Sequence, residues 1–273
     1  MSKGNLKEIL KFPIVGYEKL NGFLGLVSYN HLNNDFYICT KSSSEGEYAG
    51  YLKKLFYKKI NNLKRDYLLN YLKENDVTLA FEAIDIENDP HIIKYNESNL
   101  VLLSIIKNDI YFNELPFNEV VSLGLELNLD VAQPLITLNN FSEFVNYYND
   151  VILKENIYDI EGAHLEGLVF KDVNNFMFKV KFPYYSYWKY MRGLVNKYLN
   201  LHVAIKNSRD IKSSEQDILL SNLNERDRDI LLKIINIHFT NNMTKVDMLS
   251  YLEDDELLNY LSSLDNVLKN SVS

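Results

Sequence analysis

Between Phe176 and Phe182 the chain alternates strictly. Positions 176, 178, 180 and 182 are Phe, Phe, Val and Phe, while 177, 179 and 181 are Met, Lys and Lys. A period of two means a strand with one buried face, so the four apolar residues are expected to face a core and Lys179 and Lys181 to project together from the other side. Their side chains would stand roughly 6.5 to 7 Å apart. Directly upstream, Glu166-Gly167-Leu168-Val169-Phe170-Lys171 reads as a partner strand, with Asp172 to Asn175 as the turn. This hairpin requires a sheet.

Other segments extend that reading. Gly22 to Tyr29 and Asp35 to Thr40 flank an Asn-rich turn, His31 to Asn34, and form a second expected hairpin. The apolar positions Leu52, Leu55, Phe56, Ile60, Leu63 and Tyr67 recur at three and four, predicting one helix that the polar Asn75-Asp76 ends. Thr78–Ile84, Leu100–Ile106 and Asp109–Phe112 are expected strands, and short helices are expected to open at Phe117 and Phe141. After Pro183 the pattern turns helical, over Tyr190–Leu201, Glu215–Phe239 and Val246–Leu268, with Ser213 and Thr244 as expected N-caps. The expected fold is α+β: residues 1–190 form a domain of antiparallel sheets with flanking helices, and residues 191–273 a small all-α domain.

A chain of 273 residues with 47% hydrophobic and 24% charged residues can bury a proper core. No run reaches the ~18 apolar residues of a membrane helix, and Lys3, Lys7 and Glu8 interrupt any secretory signal core. A cytoplasmic location is expected. Cys39 is the only cysteine, which leaves no disulfide within the chain. The net charge of −8 argues against a coat of positive charge for nucleic acid, yet Lys53 to Arg65 holds six cations before its first acid, Asp66. Tyrosines interleave with them. Such a stretch is either a groove for phosphates and bases or a solvated helix face.

The polar residues point to one chemistry. A lysine followed three residues later by glycine (Lys19-Leu20-Asn21-Gly22), two separated glutamates (Glu82 and Glu166) and a Lys-x-Lys strand, in that order, suit covalent nucleotidyl transfer. Lys19 would attack an α-phosphate, which needs its pKa lowered from the usual ~10.4 by neighbouring cations. Gly22 would let the loop pass close to the nucleotide. Glu82, in a run that reads as a buried strand, needs a partner such as a ribose hydroxyl. Of the two Glu-Gly pairs, 161–162 and 166–167, the second runs into the hairpin, so Glu166 is taken as the metal-facing carboxylate and Glu161 as a loop acid. The five histidines lack metal-ligand spacing, and neither a phosphate loop nor a dinucleotide fingerprint is present.

This ordered set resembles the covalent nucleotidyltransferase superfamily, and most closely the phage RNA ligase 1 type, over about residues 15 to 190. The resemblance implies Lys19 as the adenylated lysine, flanked by Glu18 and Gly22 at the nucleotide, and Lys41 of Cys39-Thr40-Lys41-Ser42-Ser43 as an assisting lysine. It implies that Glu82 binds ribose, that Glu166 holds Mg2+ or Mn2+, and that Val169, Lys179, Lys181 and Tyr185 contact the nucleotide. The implied activity is ATP-dependent sealing of RNA 5′-phosphate and 3′-hydroxyl ends in RNA repair, with an end-processing kinase or phosphatase as partner. The 18 residues before Lys19 contain no arginine, so either Lys7, Lys11 or another chain supplies charge to the ATP phosphates, or the first step is slow in isolation. His91 stands where the family pattern has arginine. Rival readings are a DNA ligase, a GTP-dependent capping enzyme, or a catalytically weak RNA-binding subunit of a repair complex.

Overall fold

The computed structural model describes residues 6–207 and 214–272. Two compact units interleave along the chain: the first takes residues up to Asp89, Tyr95–Phe144 and Gly167–Val180, and the second Pro90–Lys94, Val145–Glu166 and Lys181 onward. The expected division at 190/191 falls inside a helix. The fold is α+β.

The first unit begins with a single helical turn, α1 (Leu6–Ile9), and the strand β1 (Ile14–Lys19). It continues through β2 (Phe23–Asn30), β3 (Asp35–Thr40), α2 (Glu47–Lys59), α3 (Asn62–Asn75), β4 (Val77–Ile84) and β5 (Asn99–Lys107). α4 (Phe117–Leu127), β6 (Asp130–Val131), β7 (Pro134–Leu138), α5 (Phe141–Tyr147), β8 (Gly167–Lys171) and β9 (Met177–Lys181) follow. Two sheets result, in the orders β7-β1-β8-β9 and β3-β2-β4-β5-β6. β1 pairs antiparallel with β7 and β8, β2 with β3 and β4, and β4 with β5, whereas β5 and β6 run parallel.

The main core lies where helices cover the second sheet. Val27, Leu79, Phe81 and Leu100 from the strands meet Leu52, Phe56, Leu68 and Leu72 from α2 and α3, all essentially inaccessible. Gly25 permits the close approach of α2, because a Cβ there would lie 2.5 Å from Leu52 Cδ1. The expected single helix over 52–75 is two helices. Asn61 breaks it: its side chain accepts from the Lys64 amide at 3.3 Å and caps α3 while Ile60 turns inward. Asp109–Phe112, expected as a strand, is instead the tip of a loop closed by Lys107 N–H donating to Asn113 O, with Ile110 and Tyr111 exposed.

In the first sheet Phe170 stacks on Phe178 at 5.2 Å, and Phe144 of α5 meets both edge-on. The expected buried face of β9 is only partly buried: Phe176 is exposed and Phe178 and Val180 are half-buried. β9 is an edge strand, and of α5 only Phe144 is buried. Sequence patterning missed β1, where Gly16 and the charged Glu18 and Lys19 mask the alternation, and β7, whose leading proline suits the edge it occupies.

The second unit is built on α6 (Pro183–Asn207), α7 (Ser214–Ser221), α8 (Glu225–Thr240), α9 (Met248–Leu252) and α10 (Asp255–Val272), with a π-helical stretch Tyr148–Ile152. α6 starts at Pro183, so the helical region begins earlier than expected. Trp188 is fully buried and donates from Nε1 to Ile157 O at 2.9 Å. The predicted helix 215–239 is interrupted, since Asn224 caps α8 by accepting from the Asp227 amide. Asp247, not Thr244, caps α9, and a further break precedes α10. Ser213 lies outside the described residues. Among those residues no helix is long and apolar enough to cross a membrane.

His238 of α8 is buried and its Nδ1 lies 2.7 Å from the Tyr251 hydroxyl of α9. Burial holds its pKa below the ordinary value. A depressed folded pKa gives stability that is present above the unfolded value near 6.5 and lost as pH falls through the folded value. Acidification from about pH 7 to about pH 5 should therefore lower the thermal midpoint more in the wild type than in His238→Gln. Parallel pH profiles of the two proteins would contradict this.

Candidate functional site

β1 delivers Lys19 at its end, where Glu18 is paired with Leu168 and Lys19 with Gly167 of β8. On the opposite edge the Glu18 amide donates to Gln133 O at 3.3 Å. The turn that follows is fixed at each residue. Leu20 is buried with Ile84, Val101 and Ala132. The Asn21 amide donates to the Tyr95 hydroxyl at 2.7 Å, and the Gly22 amide to Glu82 Oε1 at 2.8 Å. A Cβ on Gly22 would lie 2.3 Å from the carbonyl oxygen of Ala83. The glycine is thus required by the backbone of β4, a constraint separate from the expected approach of a nucleotide. Lys19 Nζ reaches its neighbour's carbonyl, Leu20 O, at 3.4 Å.

Glu82 lies on the face of β4 opposite Phe81 and Ala83, which belong to the main core. Strand alternation puts it on the side of Ala80, and that side faces a cleft of about 250 Å3 between the two sheets. Leu24, Leu26 and Ala80 line the cleft from the second sheet, and Glu18, Val169 and Met177 from the first. Glu18 is half-buried there, and burial pushes its carboxyl pKa up. Because Met177 faces the cleft, period two puts Lys179 on the same side of β9. Lys41 sits on an exposed turn after β3, held by the Thr40 amide donating to Ser43 O at 2.9 Å. Pairing of Thr40 with Gly25 places this turn at the end of the sheet where Gly22 and Glu82 lie.

Two charged residues in the cleft escaped the sequence reading. Lys171 Nζ contacts both carboxylate oxygens of Glu114, at 3.0 and 2.9 Å, and lies 5.4 Å from the centroid of the Tyr17 ring. Lys171 could have been found by stepping two residues along β8 from Val169. Glu114, on a loop outside any periodic pattern, carried no signal.

The remaining candidates belong to the second unit. Glu166 is 4% exposed, and Lys181 Nζ lies 2.9 Å from its Oε1, whereas Glu161 is exposed. The Glu166 carbonyl accepts from the Phe182 amide at 3.0 Å. Tyr185 is buried, with the Lys181 ammonium 4.5 Å from its ring centroid. Lys189, one helical turn further on α6, lies 5.5 Å from the same ring. Burial, then Lys181, hold the Lys189 pKa down, against the opposing pull of Glu166. This lysine was also missed, although i, i+4 spacing from Tyr185 was visible.

The Lys53–Arg65 stretch is partly consumed by structure. Lys53 donates to Ser44 O, Lys64 to Leu127 O, and Arg65 pairs with Asp35 at 2.7 Å. Lys54, Tyr57 and Lys58 remain on the exposed face of α2.

The contacts around Gly22 give a direct test. Glu82→Ala removes the acceptor of a part-buried amide and should lower stability by about 1–2 kcal/mol, whereas Glu82→Gln, which keeps an acceptor oxygen, should cost less than half of that. Gly22→Ala should be worse than either, because the obstacle is backbone and not a movable side chain. Urea unfolding of the three variants gives the order, and a Gly22→Ala protein as stable as the wild type would refute the steric argument.

Comparison with known proteins adds a family. No curated protein matches the chain at a significant level. Among solved structures, two forms of an archaeal ATP-dependent RNA ligase superpose with TM-scores of 0.53 and 0.52 at 15% and 14% identity. They cover 84% and 97% of this chain, and 59% and 71% of theirs. A mutant of the Naegleria gruberi RNA ligase with ATP and Mn gives 0.50 at 19% identity, covering 66% of this chain and 53% of that one. The chain spans about half the length of the Naegleria ligase. Identities this low speak for the fold alone. The family model described as RNA ligase matches residues 2–187, more than half of the chain, and on that match the chain belongs to the RNA ligase family of covalent nucleotidyltransferases.

Proposed function

We propose that this protein is an ATP-dependent RNA ligase acting on RNA 5′-phosphate and 3′-hydroxyl ends, with Lys19 as the nucleophile. The observation that carries the reading is the Lys19–Gly22 turn fixed beside an inter-sheet cleft, in a chain whose family match spans residues 2–187. In the first step Lys19 Nζ attacks the α-phosphorus of ATP; an N–P bond forms, pyrophosphate leaves and the amine loses its proton. An oxygen of the RNA 5′-phosphate then takes the AMP and frees Lys19. Last, the RNA 3′-hydroxyl attacks that phosphate, sealing the strand and expelling AMP.

The side chains supply position and charge, which dominate phosphoryl transfer. The apolar cleft lined by Val169 and Leu24 suits the base, with Glu18 at its edge, and Glu82 suits the ribose. Lys41, Lys179, Lys181 and Tyr185 are assigned to phosphate and nucleotide contacts. Glu166 is a hard oxygen donor, and Mg2+ and Mn2+ bind through one or two carboxylates plus water and phosphate, so its chemistry fits such an ion. A bound divalent ion would supply charge neutralisation at the phosphates. RNA repair, a cytoplasmic location and a kinase or phosphatase partner belong to the same proposal.

Incubation with α-labelled ATP tests it. The wild type should acquire a covalent label, Lys19→Ala should not, and Lys19→Arg should fail equally because a guanidinium stays protonated. Lys19→Ala should still seal pre-adenylated RNA, since only the first step uses the amine. Glu166→Ala should lose metal-dependent labelling at least tenfold more than Glu161→Ala. Label retained in Lys19→Ala, or taken only from GTP, would overturn the reading.

A further inference from the structure

The start of α6 carries more positive charge than its surroundings balance. Lys181 Nζ is paired with Glu166, and the ammonium groups of Lys181 and Lys189 lie 4.5 and 5.5 Å from the centroid of one ring, that of Tyr185. Lys189 Nζ is also 3.5 Å from the Tyr185 hydroxyl. Tyr185, Lys189 and Arg192 follow one another at four and three residues, so they share a helix face. Arg192 is anchored there by donating from Nη1 to Pro90 O at 3.1 Å. Lys189, Lys181 and Arg192 are three cations here, and Glu166 is the one carboxylate set against them among the described residues.

Like charges are not gathered around one buried ring without cost, and an anion offsets it. Phosphate is the anion this geometry fits. Lysine binds it as a point charge, arginine through a fork of donors, and the ring of Tyr185, 4% exposed, fixes where the two ammonium groups stand. We propose that Lys189, with Arg192 beside it, is a further phosphate-binding residue of this ligase, extending the Lys181 site along α6. The proposal rests on the reading of the chain as a ligase only for the identity of the phosphate, which is either the pyrophosphate portion of ATP or the RNA 5′-phosphate.

Lys189 is exposed on its helix, so its variants should fold, and circular dichroism checks that they do. Binding of magnesium pyrophosphate by calorimetry reads the site without any catalysis, and the KM for a pre-adenylated RNA reads the other source. Lys189→Ala and Lys189→Gln should weaken one of these about tenfold, with kcat altered far less, and should reduce the salt dependence of binding. Lys189→Arg should recover most of the loss, which a purely structural role would not predict. A change in the pyrophosphate arm alone assigns the site to ATP, and a change in the RNA arm alone to the 5′-phosphate. Unchanged values in both arms, or Lys189→Arg as impaired as Lys189→Ala, would overturn the proposal. A wild-type protein that takes no label from ATP would refute the ligase reading, while the pyrophosphate titration would still judge the phosphate site.

Discussion

The contact on which the first unit turns is the approach of Gly22 to the backbone of β4. With only hydrogen on its Cα, the chain can pass the carbonyl oxygen of Ala83 at a distance no other residue could tolerate. That approach lets the Gly22 amide donate to Glu82, and it sets where β2 begins, because Phe23 is paired with Ala83. The ends of β1 and β2 are thereby joined across two different sheets by three residues. Lys19 is held at the junction by the geometry of its neighbours, so its position does not depend on what its own long side chain contacts.

Such a junction suits a nucleophile. A lysine at the tip of a mobile loop would lose conformational freedom each time it engaged a phosphate. Here the backbone on both sides is committed in advance, through β-pairing with Gly167 before it and the Tyr95 and Glu82 hydrogen bonds after it. Glu82 combines two tasks in this reading. Its Oε1 holds the turn, and its face of β4 is the cleft face, so the residue assigned to ribose also fixes the motif that carries the nucleophile. A positioned group acts in the transition state at less entropic cost than one that must be recruited.

Period-two patterns made most of the strands legible. β2, β3, β4, β5, β8 and β9 each carry β-branched or aromatic residues bounded by turns, and the register of β9 placed both lysines on one side. Helix existence was legible but continuity was not: apolar spacing runs straight through Ile60 and through Leu223, and only the capping hydrogen bonds of Asn61 and Asn224 reveal the breaks. Order along the chain is what nominates the candidate site residues, from Lys19 to Tyr185. Glu114 carried no such mark, its partner Lys171 being 57 residues away, whereas Lys171 and Lys189 had local spacing that was overlooked. A partner far along the chain leaves no mark on local spacing. At Gly22 the backbone that excludes a side chain belongs to Ala83, remote in sequence, so that constraint left no local signal.

The charge balance bears on how an acidic protein would act on the polyanions proposed as its substrates. With a net charge of −8 the molecule repels nucleic acid at long range, an effect that salt screens beyond about 8 Å at physiological strength. Attraction must come from local groups, and the structure deploys them selectively. Lys53, Lys64 and Arg65, half of the six cations in the basic stretch, are tied to Ser44, Leu127 and Asp35 and serve to fasten α2 and α3. Lys181 and Lys189 are set against an aromatic ring, whose electron-rich face attracts the ammonium groups while leaving their protons for an anion. A density of cations along a sequence therefore does not show which of them the fold uses for its own contacts. For the proposed phosphate site the better guide is Lys189, which is set against a ring, because a ring balances no net charge and leaves that role to the ligand.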